Sequence, residues 1–229
     1  MLIGEAISHS YTYTMSVTNS KHGPPSHDAI RTALAPFGVV PTPTLCEQVR
    51  VYLRILVQWT DKINLTSIRE PLEILARHFG ESMFAAFAVP IEHGRLADVG
   101  SGAGFPGLPL KLIRPDLDLT LIEPNIKKSA FLSEVVRALE LTDVTVLRST
   151  FADSPIKPVS LTFITSRALD PSEGLLPWAH RSLAPGGRVV LWTAKDTAQE
   201  ICADVHWNWL EPISIPQSKQ RVLLVGQPL

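Results

Sequence analysis

Residues Leu96 to Gly107 read Leu-Ala-Asp-Val-Gly-Ser-Gly-Ala-Gly-Phe-Pro-Gly: a short apolar run with an acid near its end, then glycines at alternate positions. Gly100, Gly102 and Gly104 allow a tight turn and let the backbone approach a ligand where a Cβ would collide. Ser101 lies among them and Phe105 offers a flanking side chain. Pro106 suits the first turn of a helix, whose leading N–H groups have no partner within the helix. Asp98 either bonds the loop's own N–H groups or meets a cationic group on a ligand. Glu123 follows 25 residues after Asp98. At the end of the next strand its carboxylate can accept both ribose hydroxyls of an adenosine; alternatively it is an acid placed at a helix start. These residue types at this spacing describe a nucleoside cofactor site, and the bland alternative is a strand-turn-helix with no ligand.

Two patterns share these letters. Gly102 to Gly107 fits the G-x-G-x-x-G of dinucleotide sites, while the stretch from Asp98 fits the acid-Val-Gly-Ser-Gly-x-Gly loop of S-adenosylmethionine (SAM) methyltransferases. The elements around the loop discriminate. Before it, Leu45, Val49, Tyr52, Leu53 and Leu56 recur with helical period, so an amphipathic helix is expected to end near Trp59. A polar connector from Asn64 to Glu70 follows, and Pro71 opens a further helix to about Ala88. After the loop, strands are expected at Arg95–Val99, Leu117–Glu123, Val144–Arg148, Leu161–Thr165 and Gly187–Thr193, with helices near Pro106–Ile113, Ile126–Leu141 and Pro171–Leu183. Such alternation implies right-handed βαβ units and a parallel sheet covered on both faces. The last two strands, Trp207–Ile213 and Arg221–Val225, are too close in sequence for a parallel crossover and must pair antiparallel. A dinucleotide dehydrogenase would continue with parallel strands, so the ending favours SAM. The expected fold is α/β, a Rossmann-like SAM-dependent methyltransferase fold with a mostly parallel seven-stranded sheet, an antiparallel hairpin at its end and N-terminal helices. Residues 1–26 are expected as a disordered tail, 27–92 as a helical cap and 93–229 as the SAM-binding core.

Composition narrows the class. The chain has 229 residues, a formal net charge of −1 and 45% hydrophobic residues, which suits one sizeable domain and excludes a wholesale basic coat for nucleic acid. Two cysteines without C-x-x-C spacing argue against a disulfide framework or zinc site. No apolar run reaches bilayer length, and the first residues lack the order of a signal peptide. A cytoplasmic protein, most simply a monomer, is expected.

What the cofactor would do depends on the acceptor. Enzymes that methylate exocyclic amines carry an Asn/Asp-Pro-Pro-Tyr loop after the fourth strand, where this chain has Thr165-Ser166-Arg167-Ala168. Pyrimidine C5 methylation needs a cysteine nucleophile, and neither Cys46 nor Cys202 ends a strand. A purine N7 attacks with an in-plane lone pair and loses no proton, so positioning supplies most of the catalysis. Arg167, directly after the fourth strand, is the candidate for that positioning and for ligand contact.

The chain resembles the bacterial 16S ribosomal RNA guanine-N7 methyltransferase family, also called glucose-inhibited division protein B, over about Val39 to Val225. The resemblance rests on Trp59 to Thr66, Arg77-His78-Phe79-Gly80-Glu81-Ser82, Asp98 to Gly107, Lys127-Lys128 with Phe131-Leu132, and Ser166-Arg167-Ala168. It implies a SAM site lined by Gly100, Phe105, Phe151, Ala152 and Arg167, and as substrate one guanine in a loop of the 16S rRNA of the small ribosomal subunit. Ala152 stands where the family usually has glutamate, leaving adenine to backbone N–H or to Asp153, which is otherwise a helix cap. For RNA contact the candidates are Asn64, Arg77, His78, Lys127 and Lys128, a local basic rim. Rival readings are a small-molecule methyltransferase on the same fold, which predicts an enclosed pocket, and a ribosome-associated protein that binds SAM or RNA without transfer.

Overall fold

The computed structural model describes residues 24–167 and 174–229. The first 23 residues of the expected tail, together with Ala168 and the expected helix start at Pro171, lie outside that range. The tail's last residue, Ser26, instead caps helix α1 (His27–Leu34), its Oγ accepting from the N–H of Ala29 at 3.2 Å.

Helix α2 (Pro43–Ile63) carries the expected apolar stripe, with Leu45, Val49, Tyr52, Leu53 and Leu56 buried. It runs one turn beyond Trp59 and stops at Asn64, which adopts a left-handed conformation (φ 56°), a habitual asparagine role. The helix expected from Pro71 to Ala88 is in fact three joined pieces. Short α3 (Pro71–Ile74) passes into a π-helical turn, Leu75–Gly80, and then into α4 (Glu81–Ala88).

The sheet contains β1 (Gly94–Val99), β2 (Leu117–Ile122), β3 (Val144–Leu147), β4 (Leu161–Arg167), β5 (Leu183–Ala194), β6 (Trp207–Trp209), β7 (Ile213–Ser214) and β8 (Arg221–Pro228). Their order is β3-β2-β1-β4-β5-β8-β6, with β7 also on β8. β1 to β5 pair in parallel; β8 is antiparallel to β5, β6 and β7. The antiparallel ending is thus present, but the described residues form eight strands rather than seven. The expected strand Trp207–Ile213 breaks in two around Pro212, which has no N–H to give to a ladder.

Helices α5 (Gly107–Ile113) and α6 (Ile126–Ala138) share one core with α1, α2, α4 and a sheet face. Helices α7 (Leu175–Ser182) and α8 (Lys195–Ile201) pack on the other face with Val189, Leu191 and Leu224. Strand order reverses between β1 and β4, and ligands of such sheets sit outside the carboxyl ends at that point.

Candidate active site

The glycine loop leaves β1 at this reversal. Gly100, Gly102 and Gly104 all have positive φ, at 69°, 55° and 84°, a region that side-chain-bearing residues avoid. At Gly107, an added Cβ would fall 2.9 Å from Asp98 Oδ2 and 2.8 Å from Leu121 Cδ2. Asp98 is fully buried beneath the loop. Its Oδ2 accepts from the Gly107 N–H at 3.2 Å and its Oδ1 from Thr165 Oγ1 at 2.9 Å. It therefore ties the loop, the start of α5 and β4 together. Ser101 turns back to donate to the Asp98 carbonyl at 2.8 Å.

Glu123 is also buried, and Oε2 accepts from the Gly102 N–H while Oε1 accepts from the Asn125 N–H, each at 2.9 Å. A carboxylate oxygen has a second lone pair, so each can still take a hydroxyl. The glycine cradle, closed to a Cβ at Gly104 and Gly107, together with Glu123 fits the nucleoside portion of SAM. Glu123→Gln removes one acceptor and leaves either Gly102 or Asn125 with a misdirected partner. SAM affinity measured by calorimetry should fall about tenfold or more; unchanged affinity would remove Glu123 from the site.

Phe105 is buried, not a free flanking ring. It stacks on Tyr52 at 5.3 Å and on His78 at 4.8 Å, and Phe79 meets its edge at 5.2 Å. Tyr52 donates to the Ala103 carbonyl at 2.5 Å. The loop thus rests on an aromatic column from α2 and the π turn. Arg167 ends β4 above the same ring, Cζ 5.4 Å from its centroid. Its Nη1 donates to the Arg77 carbonyl at 3.2 Å and its Nη2 to His78 Nδ1 at 2.9 Å. His78 Nδ1 must then be unprotonated, so Nε2 carries the hydrogen and donates to Thr66 Oγ1 at 2.7 Å. Burial first, then the cations Arg167, Arg77 and Arg221, push the His78 pKa down from 6.5 to about 3.

Asp98 moves the other way. Burial raises its pKa from 3.8 to about 6, against the hydrogen bonds from Thr165 and Gly107. A raised carboxylate pKa means that the folded state holds a proton which the unfolded state has lost. Its stabilising contribution is therefore full below pH 3.8 and disappears as pH rises through about 6. His78 opposes it, because between about pH 3 and 6.5 the unfolded chain carries the extra proton. Asp98→Asn should unmask the His78 slope. The stability difference, variant minus wild type, should grow by about 2 kcal/mol between pH 4 and 6, the slope approaching about 1.36 kcal/mol per pH unit mid-range. Urea unfolding across that range checks this, and a pH-independent difference would contradict it.

A family model described as rRNA small subunit methyltransferase G (GidB) matches residues 45–221. The chain belongs to the GidB family. The "Ribosomal RNA small subunit methyltransferase G" of Xanthomonas axonopodis pv. citri is 39% identical over 168 residues, covering 72% of this chain and 78% of the relative. The protein of the same name from Chloroflexus aggregans is 35% identical over 189 residues, covering 78% and 79%. Among solved structures, a SAM-dependent methyltransferase from Aquifex aeolicus superposes with a TM-score of 0.59 at 16% identity, covering 72% of this chain and 97% of that one. A ribosomal protein L11 methylase from Lactobacillus delbrueckii gives 0.56 at 15% identity, covering 67% and 79%. These likenesses show the methyltransferase fold.

The remaining residues that the GidB resemblance singled out are dispersed. Phe151 packs on Trp178 at 5.6 Å and Ala152 is exposed after β3. Asp153 closes a turn with Thr150, accepting its hydroxyl at 2.7 Å, and the stretch from it to β4 holds no helix for it to cap. Asn64 is exposed and accepts from Arg69 at 3.1 Å. Arg77 points outward to Glu73 at 3.3 Å. Lys127 and Lys128 begin α6, their N–H groups capped by Asn125 Oδ1 at 3.0 and 3.2 Å. His78 is drawn into the wall, with both ring nitrogens used. Two site-supporting residues escaped sequence reasoning: Glu81, whose carboxylate grips Arg221, and Trp192, which donates to the Glu81 carbonyl at 2.9 Å. Only the Gly-Glu-Ser run beside His78 hinted at the first. Among the described residues, no helix is long and apolar enough to cross a membrane.

Proposed function

We propose that this chain transfers a methyl group from SAM to N7 of one guanine in a loop of 16S ribosomal RNA, acting in the cytoplasm as a monomer on the RNA of the small subunit. The observation that carries this reading lies beside the glycine cradle. The titratable groups there are committed to roles other than proton removal: Arg167 is a donor, His78 is bonded at both nitrogens with a pKa near 3, and Asp98 is enclosed under the loop. Such a site suits an acceptor that needs no base. Bound SAM supplies an electrophilic methyl group on a sulfonium sulfur. The N7 lone pair lies in the ring plane and forms the new N–C bond as the S–C bond breaks, giving a neutral thioether and a cationic N7-methylguanosine. No proton leaves.

The chain's contribution is then placement. Gly100, Gly102, Gly104 and Glu123 hold the nucleoside. Arg167, fixed through Arg77 and His78 and braced on Phe105, keeps further N–H groups for an acceptor-rich guanine edge. Lys127, Lys128 and Arg77 offer cations to phosphates.

The test is transfer of tritiated methyl from SAM to small subunits and to extracted rRNA lacking modification, with the product nucleoside identified by mass spectrometry. N7-methylguanosine at a single site is expected. No incorporation despite SAM binding, or a different methylated nucleoside, would overturn the reading.

A further inference from the structure

At the carboxyl edge of the sheet, beyond the glycine cradle, lies a second concavity of about 490 Å³. Its walls are the π turn, through Ala76 and Arg77, and the turn from Gln217 to Arg221 that leads into β8. That volume falls in the range of small-ligand sites. The register places it beside Arg167. Arg167 pairs with Trp192 on β5, and two residues on, Ala194 pairs with Arg221 on β8. The two also share a residue, since the Arg77 carbonyl accepts from Arg167 at 3.2 Å while Arg77 also lines the groove.

The β7–β8 turn is built to hold its shape. Ser218 N–H donates to the Ile215 carbonyl at 3.1 Å, Arg221 N–H to Ser218 Oγ at 2.9 Å, and Lys195 N–H to the Gln220 carbonyl at 2.9 Å. Gln217 sits at φ 60°, a strained conformation for a residue with a side chain. Yet the side chains of Gln217, Lys219 and Gln220 are exposed and make no hydrogen bond among the described residues. The groove's two carboxylates are already neutralised, Glu73 by Arg77 and Glu81 by Arg221. Lys219 has no acidic partner among the described residues. A rigid, net basic groove fringed with amides, open to solvent and sharing a residue with the Arg167 anchor, matches a strand of nucleic acid better than a neutral metabolite.

We propose that this groove is a substrate subsite for the nucleotide next to the methylated guanine, with Lys219 meeting its phosphate and Gln217 and Gln220 its base edge. It rests on the reading of the chain as an RNA methyltransferase.

The test compares full-length wild type, Lys219→Glu and Lys157→Glu, the last being an exposed lysine beside the amino ends of β1 and β4, at the opposite edge of the sheet. Filter binding to unmodified, transcribed 16S rRNA at several salt concentrations gives Kd and its salt slope; melting temperature verifies folding. Lys219→Glu should raise Kd about tenfold and lower the salt slope by about 1, with SAM affinity unchanged and Lys157→Glu near wild type. Equal effects of the two variants, or none from Lys219→Glu, would overturn the subsite. If wild type transfers methyl to rRNA while Lys219→Glu binds it normally, the subsite alone fails. If wild type transfers nothing, the functional reading fails, and the Kd comparison still decides whether the groove takes RNA.

Discussion

Arg167→Ala is expected to cut methyl transfer by about two orders of magnitude or more while leaving the protein folded. The guanidinium has two fixed acceptors, the Arg77 carbonyl and His78 Nδ1, and a ring beneath it. These contacts determine its orientation, and a displacement of about 1 Å at a reacting centre can cost about 100-fold. Stability should change little, because burial already penalises this cation and pushes its pKa down. Arg167→Lys is the sharper comparison. It keeps the charge but a single ammonium cannot reproduce the planar fork, so it should recover only a small part of the rate. Loss of kcat exceeding any loss of SAM affinity, measured by single-turnover transfer and calorimetry, identifies positioning. Near-normal turnover by either variant would rule the role out.

The second large effect is expected at Gly104. A Cβ there would lie 2.5 Å from Leu108 Cδ1 and strike the Tyr52 hydroxyl, at a φ of 84°. The left-handed conformation costs about 1–2 kcal/mol and overpacking about 1–3, so Gly104→Ala should lose about 2–5 kcal/mol in urea unfolding. Tyr52 also holds Ala103, so displacing it distorts the cradle, and SAM affinity should drop about tenfold or more. Gly102 provides the contrast. Its added Cβ would approach nothing nearer than the Gly100 carbonyl oxygen at 3.7 Å, so Gly102→Ala carries only the backbone cost. Gly102→Val, β-branched at a positive φ, should be worse and block SAM binding. Equal behaviour of Gly104→Ala and Gly102→Ala would show that the aromatic column does not support the loop.

These glycines were legible in the sequence because their role is local: turn geometry depends on neighbouring residues. The βαβ alternation and antiparallel ending were legible for a similar reason, through apolar runs and connection lengths. Pairings across long separations were not. Arg167 and His78 are 89 residues apart, and Glu81 and Arg221 are 140 apart. Nothing in the periodicity of 71–88 announces a π turn, since its hydrogen bonds shift by one residue without changing which residues are apolar. For Asp98 the sequence left open a partner in the loop or on a ligand, and only the folded positions of Gly107 and Thr165 show that its present partners belong to the protein.

The π turn has a consequence for the chain's phase. At its end the Glu81 N–H bonds the Ala76 carbonyl, five residues back, and the turn's carbonyls at Arg77 and His78 are met by side chains, those of Arg167 and Ser82. Deleting one residue here would restore an ordinary helix and rotate every later residue of α4 by about 100° relative to those before it. His78 and Glu81 could then no longer both face inward, one toward the Phe105 ring and the other toward Arg221. One surplus residue thus acts as a spacer, letting a single helical rod serve two bearings that a regular helix would leave out of step.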